Sequence, residues 1–178
     1  MIRLFVALAL PEDLRQRLAG LGGGVPGARW TEPENLHLTL RFIGDVPDDR
    51  LADIDAALAG VESPGFALVF DGVGVFGNAR NARILWAGVE RSEALNHLQG
   101  KIESALVRGG EPRDERRFTP HVTLARLKDA PRERIGRFIE ERGLFRAGPV
   151  AFDRFTLFRS HLGRSGPVYE PLRDYTLG

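Results

Sequence analysis

Two of the four histidines occur in the same short phrase, His37-Leu38-Thr39-Leu40 within "ENLHLTL" and His121-Val122-Thr123-Leu124 within "FTPHVTL". An imidazole has an ordinary pKa of about 6.5, so near neutral pH it can serve as a base or, once protonated, as an acid. Two imidazoles on opposite sides of a phosphorus centre would supply both roles in one in-line displacement. One takes the proton of the attacking oxygen while the other gives a proton to the oxygen that leaves. The threonine hydroxyl two residues along could donate to non-bridging oxygens, where charge accumulates in the transition state. Such chemistry needs no metal, and no cofactor is expected. A zinc site would want a third ligand, which neither phrase supplies and which no cysteine can provide. One copy alone would read as a strand with a polar face; two copies in matching contexts favour a paired catalytic site.

The elements around the phrases must hold them face to face. Side chains alternate along a strand, so His37 and Thr39 share one face while Leu36, Leu38, Leu40 and Phe42 share the other. His121 and Thr123 are likewise opposed to Val122 and Leu124. If the apolar faces pack under helices and the two lobes are related by pseudo-symmetry, both His-Thr pairs look into one cleft.

The rest of the chain fits that frame. Ile2, Leu4, Val6 and Leu8 alternate as a strand, and Leu14, Leu18 and Leu21 follow at helical spacing behind Pro11. "GLGGGVPGA" closes that helix, the first phrase continues as a strand to Ile43, and Leu51, Ile54 and Leu58 mark a second helix. Two extended runs, "FALVFDGVGVF" and "ARILWAGV", flank a turn in "GNARN". A helix from Ser92 to Val107 then buries Leu95, Leu98, Ile102 and Leu106, and the polar connector "RGGEPRDERR" leads into the second phrase. Pro131 opens a last helix with Ile135, Phe138 and Ile139 inward and Gly143 past its end. Two extended runs, "VAFDRFTLFRS" and "GPVYEPLRDYTL", close the chain. Elements interleave twice, with one phrase in each half. The expected fold class is α+β: a bilobal, duplicated fold of two largely antiparallel sheets with outer helices and a central cleft, spanning residues 1–178 as a single two-lobed domain.

Composition narrows the partners. Twenty-five basic residues against 24 acidic ones give a formal charge of +1, so no global field draws the molecule to nucleic acid or membrane. All but Lys101 and Lys128 of the basic residues are arginines, which reads as a composition bias. The absence of cysteine fits a reducing cytoplasm. "MIRLFVALALPEDL" ends its apolar run at Pro11 and enters a charged amphipathic segment, the pattern of a buried strand rather than a secretory signal.

Taken together, "HLTL", "HVTL", the opening "RLFVALALPEDL", the run "WTEPENLHLTLRFIGDV", "FTPHVTLAR" and the ending "LFRSHLGRSGPVYEPL" resemble the 2H phosphoesterases. The likeness is to the bacterial and archaeal RNA 2′,3′-cyclic phosphodiesterases, also called 2′-5′ RNA ligases, and runs almost end to end. It implies a substrate partner in RNA ends or nucleotides carrying a 2′,3′-cyclic phosphate, opened to a 2′-phosphate. In some members it implies reversible ATP-independent 2′-5′ joining. Carried over by position, His37 and His121 are the acid and base, Thr39 and Thr123 bind phosphate, and a phosphate-contacting arginine falls at Arg126. Arg126 has the opposite strand parity to His121, so a bulge, twist or strand end must aim it into the cleft. No obligate protein partner is inferred. Two other readings stand beside this one: a non-catalytic nucleotide-binding module on the same fold, and a cyclic phosphodiesterase acting on a non-RNA substrate.

Other residues carry weaker signals. His97 falls on the outer face of its helix, and His161 lies in a Gly-rich turn. Trp30, Phe5, Phe42 and Tyr169 could stack on a nucleobase, with Phe5 best placed because it shares parity with Arg3. "GVGVFGNARNAR" lacks the spacing of a nucleotide-binding fingerprint. Arg41 has the parity of His37, and the Arg-rich connector could guide an RNA backbone toward His121.

Overall fold

The computed structural model describes residues 1–78 and 80–178; the turn expected in "GNARN" includes residue 79, outside that set. The strands are β1 (Ile2–Ala9), β2 (Ala28–Trp30), β3 (His37–Val46), β4 (Phe66–Asn78), β5 (Asn81–Val89), β6 (His121–Leu127), β7 (Arg146–Phe152), β8 (Arg154–Gly163) and β9 (Gly166–Thr176). The helices are α1 (Glu12–Ala19), α2 (Leu51–Ala59), α3 (Glu93–Arg108) and α4 (Arg132–Arg142). The helices bury most of the stripes expected of them, Leu14 and Leu18, Ile54 and Leu58, Leu95, Leu98, Ile102 and Leu106, and Ile135 and Phe138, while Leu51, Ile139 and Leu21, the last just past the end of α1, are half-buried against the same core. Burying such a side chain contributes about 1.5–3 kcal/mol. Ser92 caps α3, its hydroxyl accepting from the Leu95 amide at 3.1 Å.

Strand order is β7-β4-β5-β6-β3-β1-β8-β9, with β2 also on β6, and every pairing is antiparallel. The two expected sheets are thus two groups of strands joined into one. The joint is a single residue pair, Leu38 on β3 with Val122 on β6. Pairing stops there on one side because β2 takes over the β6 backbone, the Thr31 amide donating to Leu124 O at 2.8 Å.

The two groups are not the two halves of the sequence. The first holds β3, β1, β8 and β9 and is backed by α2 and α3; α2 reaches β9 through Asp55, which accepts from the Tyr175 hydroxyl at 2.7 Å. The second holds β6, β5, β4, β7 and β2 and is backed by α1 and α4, with Trp30 packed on Phe138 and Arg17 donating to Arg146 O at 2.7 Å. The run "VAFDRFTLFRS" therefore divides at Asp153: β7 pairs with β4 in one group and β8 with β1 in the other. An apolar run specifies extension but not where it turns away. β2 follows the segment that closes the first helix, where no strand is expected, since three residues are too few for a periodic signal.

Arg41 ties the first phrase to the connector that precedes the second. It is 6% exposed, pairs with Glu103 of α3 at 3.1 Å and donates to the carbonyls of Phe42 and Pro112. Glu103 in turn accepts from the Asp114 amide at 3.3 Å, and Glu111 is buried. The connector is accordingly anchored at both ends of its acidic stretch rather than loosely solvated. Removing one member of such a buried pair leaves an uncompensated charge, so Arg41→Ala should destabilise the fold by on the order of 3 kcal/mol, measured by urea denaturation. Exposed Arg154→Ala should change stability far less in the same measurement.

Candidate active site

Each phrase opens on an imidazole held by the backbone just before it. Nδ1 of His37 lies 2.6 Å from the carbonyl of Asn35, and Nδ1 of His121 lies 2.7 Å from the carbonyl of Thr119. A carbonyl can only accept, so both rings carry their proton on Nδ1 and leave Nε2 as the free basic atom. His37 Nε2 sits 3.0 Å from the Thr39 hydroxyl, which can donate to it. Burial disfavours the charged ring and lowers both imidazole pKa values; the carbonyl bonds oppose this only in part. A proton on His121 pushes His37 lower still, which puts the two rings in electrostatic reach.

The Leu38–Val122 pair sets their relation. Both side chains are fully buried, so the flanking His37, Thr39, His121 and Thr123 all project from the opposite, half-buried face. In antiparallel order His37 lies toward Thr123 and Thr39 toward His121. The two phrases are thus related by a local two-fold through one backbone pair, and their four polar side chains share one face of the sheet, the face expected to line the cleft.

Both strands then bulge at the same place. In β3, Ala7 pairs with Thr39 but Val6 with Arg41, leaving Leu40 extra; in β6, Trp86 pairs with Thr123 but Leu85 with Ala125, leaving Leu124 extra. A bulge reverses parity beyond it. Since β5 is regular between Ile84 and Trp86, their partners Arg126 and Thr123 lie on one face, which brings Arg126 onto the His121 side. There its charge acts on Tyr169, lowering the hydroxyl pKa that burial raises. Thr31 pins the bulge, its hydroxyl donating to Thr123 O at 3.1 Å beside the amide bond to Leu124 O.

The same reversal corrects two expectations in β3. Phe42 does not line the apolar face with Leu36, Leu38 and Leu40: it pairs with Phe5 on the cleft face and is 42% exposed. Arg41 is turned away from the cleft into the ion pair with Glu103. Phe5 is also not free to stack on a base, because it is buried against His37 (4.9 Å between centroids) and Phe158 (5.1 Å). Tyr169 meets the His37 ring edge-on at 5.3 Å, and Trp30 packs inward on Phe138.

On the other side Phe76 meets His121 at right angles, 4.8 Å away, and leans on Trp86. Each imidazole therefore has an aromatic wall. Gly74 makes room for the second one, since a Cβ there would fall inside the Trp86 ring. Phe76, Trp86 and Thr31 gave no sequence signal; cross-strand register alone places them. His97 is exposed on α3 and lines a cavity of about 600 Å³ with Lys101 and Arg108, on the side of the fold bearing the helices. His161 bonds Glu170 at 2.9 Å across the β8–β9 hairpin. Among the described residues no three His, Asp or Glu side chains are grouped to hold a metal ion, and no helix is long and apolar enough to cross a membrane.

The described residues form one nine-stranded antiparallel sheet with helices, an α+β fold shared with solved phosphoesterase structures. E. coli LigT, crystallised with 3′-AMP, superposes with a TM-score of 0.78 at 29% identity, covering 99% of this chain and 98% of that one. The LigT like Phosphoesterase profile matches residues 8–86 and 88–169, and the chain belongs to that family. The RNA 2′,3′-cyclic phosphodiesterase of Methanothermobacter thermautotrophicus is 34% identical over 99% of each chain. Its counterpart in Archaeoglobus fulgidus is 33% identical over 98% of this chain and 99% of that protein.

Withholding protons from two buried imidazoles has a stability cost with a definite sign. Above pH 6.5 both states hold neutral rings; as pH falls below it, the unfolded chain gains protons that the folded one refuses, and stability declines toward the lowered folded values. Thermal unfolding between about pH 7.5 and 5.5 should show this loss, and a His37→Gln, His121→Gln double variant should flatten it.

Proposed function

We propose that this protein hydrolyses 2′,3′-cyclic phosphates at RNA or nucleotide ends, with residues 1–178 working as one two-lobed catalytic unit in a reducing cytoplasm. The observation that carries the reading is the pair of imidazoles on one face of the joined sheet, each with Nδ1 held by a backbone carbonyl so that Nε2 is its basic atom. The names of the two archaeal relatives and the nucleotide bound to E. coli LigT support the substrate class.

In this mechanism His121 Nε2 takes a proton from water as the water oxygen attacks phosphorus. The phosphorus bond to the 3′ oxygen breaks, and the imidazolium of His37 protonates that oxygen through Nε2. A 2′-phosphate remains. Thr39, Thr123 and Arg126 hold the non-bridging oxygens as their charge grows. Which ring serves which oxygen, and which ester bond breaks, follow from the family resemblance. With a 5′-hydroxyl in place of water the same displacement forms a 2′-5′ linkage, the strained cyclic ester supplying the driving force without ATP.

The direct test incubates the protein with a short RNA ending in a 2′,3′-cyclic phosphate and analyses the product. Expected are a 2′-phosphate end and full activity in excess chelator; abolition by chelator with recovery on one ion would sink the metal-free scheme. General acid and base catalysis contribute roughly 10² to 10⁴ each. His37→Ala or His121→Ala should therefore cost at least about 10² in turnover. Because the rings act as a unit, the double variant should cost little more than the worse single one. A folded single variant with near-parental turnover would overturn the paired-histidine mechanism, whereas binding without turnover by the parent would favour the nucleotide-binding module.

The lowered imidazole values make a second outcome specific. The profile of kcat/KM, which reports the free enzyme, should be bell-shaped with its limbs displaced to the acid side of an ordinary imidazole. A bound phosphodiester anion favours the imidazolium, so the alkaline limb of kcat should lie at higher pH than that of kcat/KM. Coincident limbs in steady-state measurements would contradict an anion seated between the rings.

A further inference from the structure

Arg29 on β2 lies directly opposite Arg126 on β6. Trp30 beside it packs inward on Phe138, so Arg29 projects on the cleft face, and both arginines are exposed. Like charges placed opposite each other across a strand pair are unfavourable. Neither has a carboxylate partner among the described residues to offset this; the guanidinium of Arg29 donates only to the Ser165 carbonyl, at 3.4 Å. Ser165 and Arg164 form the two-residue turn between β8 and β9, and Arg164 is exposed and without a carboxylate partner as well.

That hairpin belongs to the other strand group, yet it reaches across. Asn35, whose carbonyl holds His37, also donates its side-chain amide to Pro167 O at 3.0 Å, fixing the hairpin beside β2. Three unneutralised guanidiniums thus run outward from the cleft in the order Arg126, Arg29, Arg164. Exposed Leu162 (98%) and Val168 (55%) flank the last of them.

We propose that Arg29 and Arg164 bind the phosphates of the RNA nucleotides preceding the reacting end, so that the strand leaves the cleft over the β8–β9 turn. This rests on the hydrolytic reading and deepens it: the preferred substrate is an RNA oligomer rather than a cyclic mononucleotide. Arginine forks suit phosphate oxygens, and an anionic strand removes the repulsion between Arg29 and Arg126. The Arg-rich connector is the competing exit. Arg116 there is committed to Asp114 at 3.3 Å, while Arg113 and Arg117 are exposed.

The test compares the parent with Arg29→Gln, Arg164→Gln and with Arg113→Gln, Arg117→Gln on two substrates, 2′,3′-cyclic AMP and a ten-nucleotide RNA ending in a cyclic phosphate. The first pair should leave mononucleotide turnover within about two-fold while raising KM for the RNA by about ten-fold at low salt. Each phosphate contact contributes about 0.7 to the slope of log affinity against log salt on single strands. Fluorescence anisotropy with an RNA ending in 2′-phosphate should accordingly show that slope reduced by about 1.4 in the first pair and unchanged in the second. Equal losses on both substrates, no loss on either, an effect confined to the connector pair, or competition by polyglutamate as strong as by RNA would each overturn the proposal. If the parent hydrolyses neither substrate the catalytic reading fails, and the anisotropy series still decides the binding lane.

Discussion

One backbone pair, Leu38 with Val122, fixes everything else in the site. It is the only register contact between β3 and β6, and it joins two strand groups that otherwise have separate helices behind them. Because both residues are fully buried, the pair forces the four neighbouring polar side chains onto the cleft face. Antiparallel order does the rest, giving each histidine the other phrase's threonine as its cross-cleft neighbour.

Around that pair the two phrases repeat a local device in three parts. A carbonyl two residues before each histidine orients its ring, a threonine two residues after shares its face, and a bulged leucine next reverses the strand's parity. What the reversal delivers differs between the copies. It brings the charged Arg126 to one side of the cleft and the exposed aromatic Phe42 to the other, so a symmetric backbone presents an asymmetric chemistry. The proposed reaction, with one acid and one base acting at the same moment, would make use of that asymmetry.

The sequence made the histidines and threonines legible because strand alternation and a repeated phrase are both local. Helix faces were legible for the same reason: Leu95, Leu98, Ile102 and Leu106 are buried as their spacing requires. Alternation failed for Phe42 and Arg41, where the bulge at Leu40 is dictated by register with β1 rather than by any residue within β3. At Arg126 the same failure mode had a visible trace, since its expected role and its parity disagreed, and the bulge at Leu124 resolves the conflict. The crossing of the chain between strand groups, the break at Asp153 and the wall formed by Phe76 and Trp86 depend on long-range pairing, which no local pattern encodes.

The central claim is that His37 and His121 present Nε2 to a single phosphate-sized space. Nitrogen-15 NMR of the two imidazoles during a titration with adenosine 2′-phosphate tests it most directly. The account predicts that both free rings are protonated on Nδ1 at neutral pH, and that both Nε2 resonances move toward the imidazolium position together, with one dissociation constant. A ring protonated on Nε2 in the free protein, or a response confined to one histidine, would contradict it.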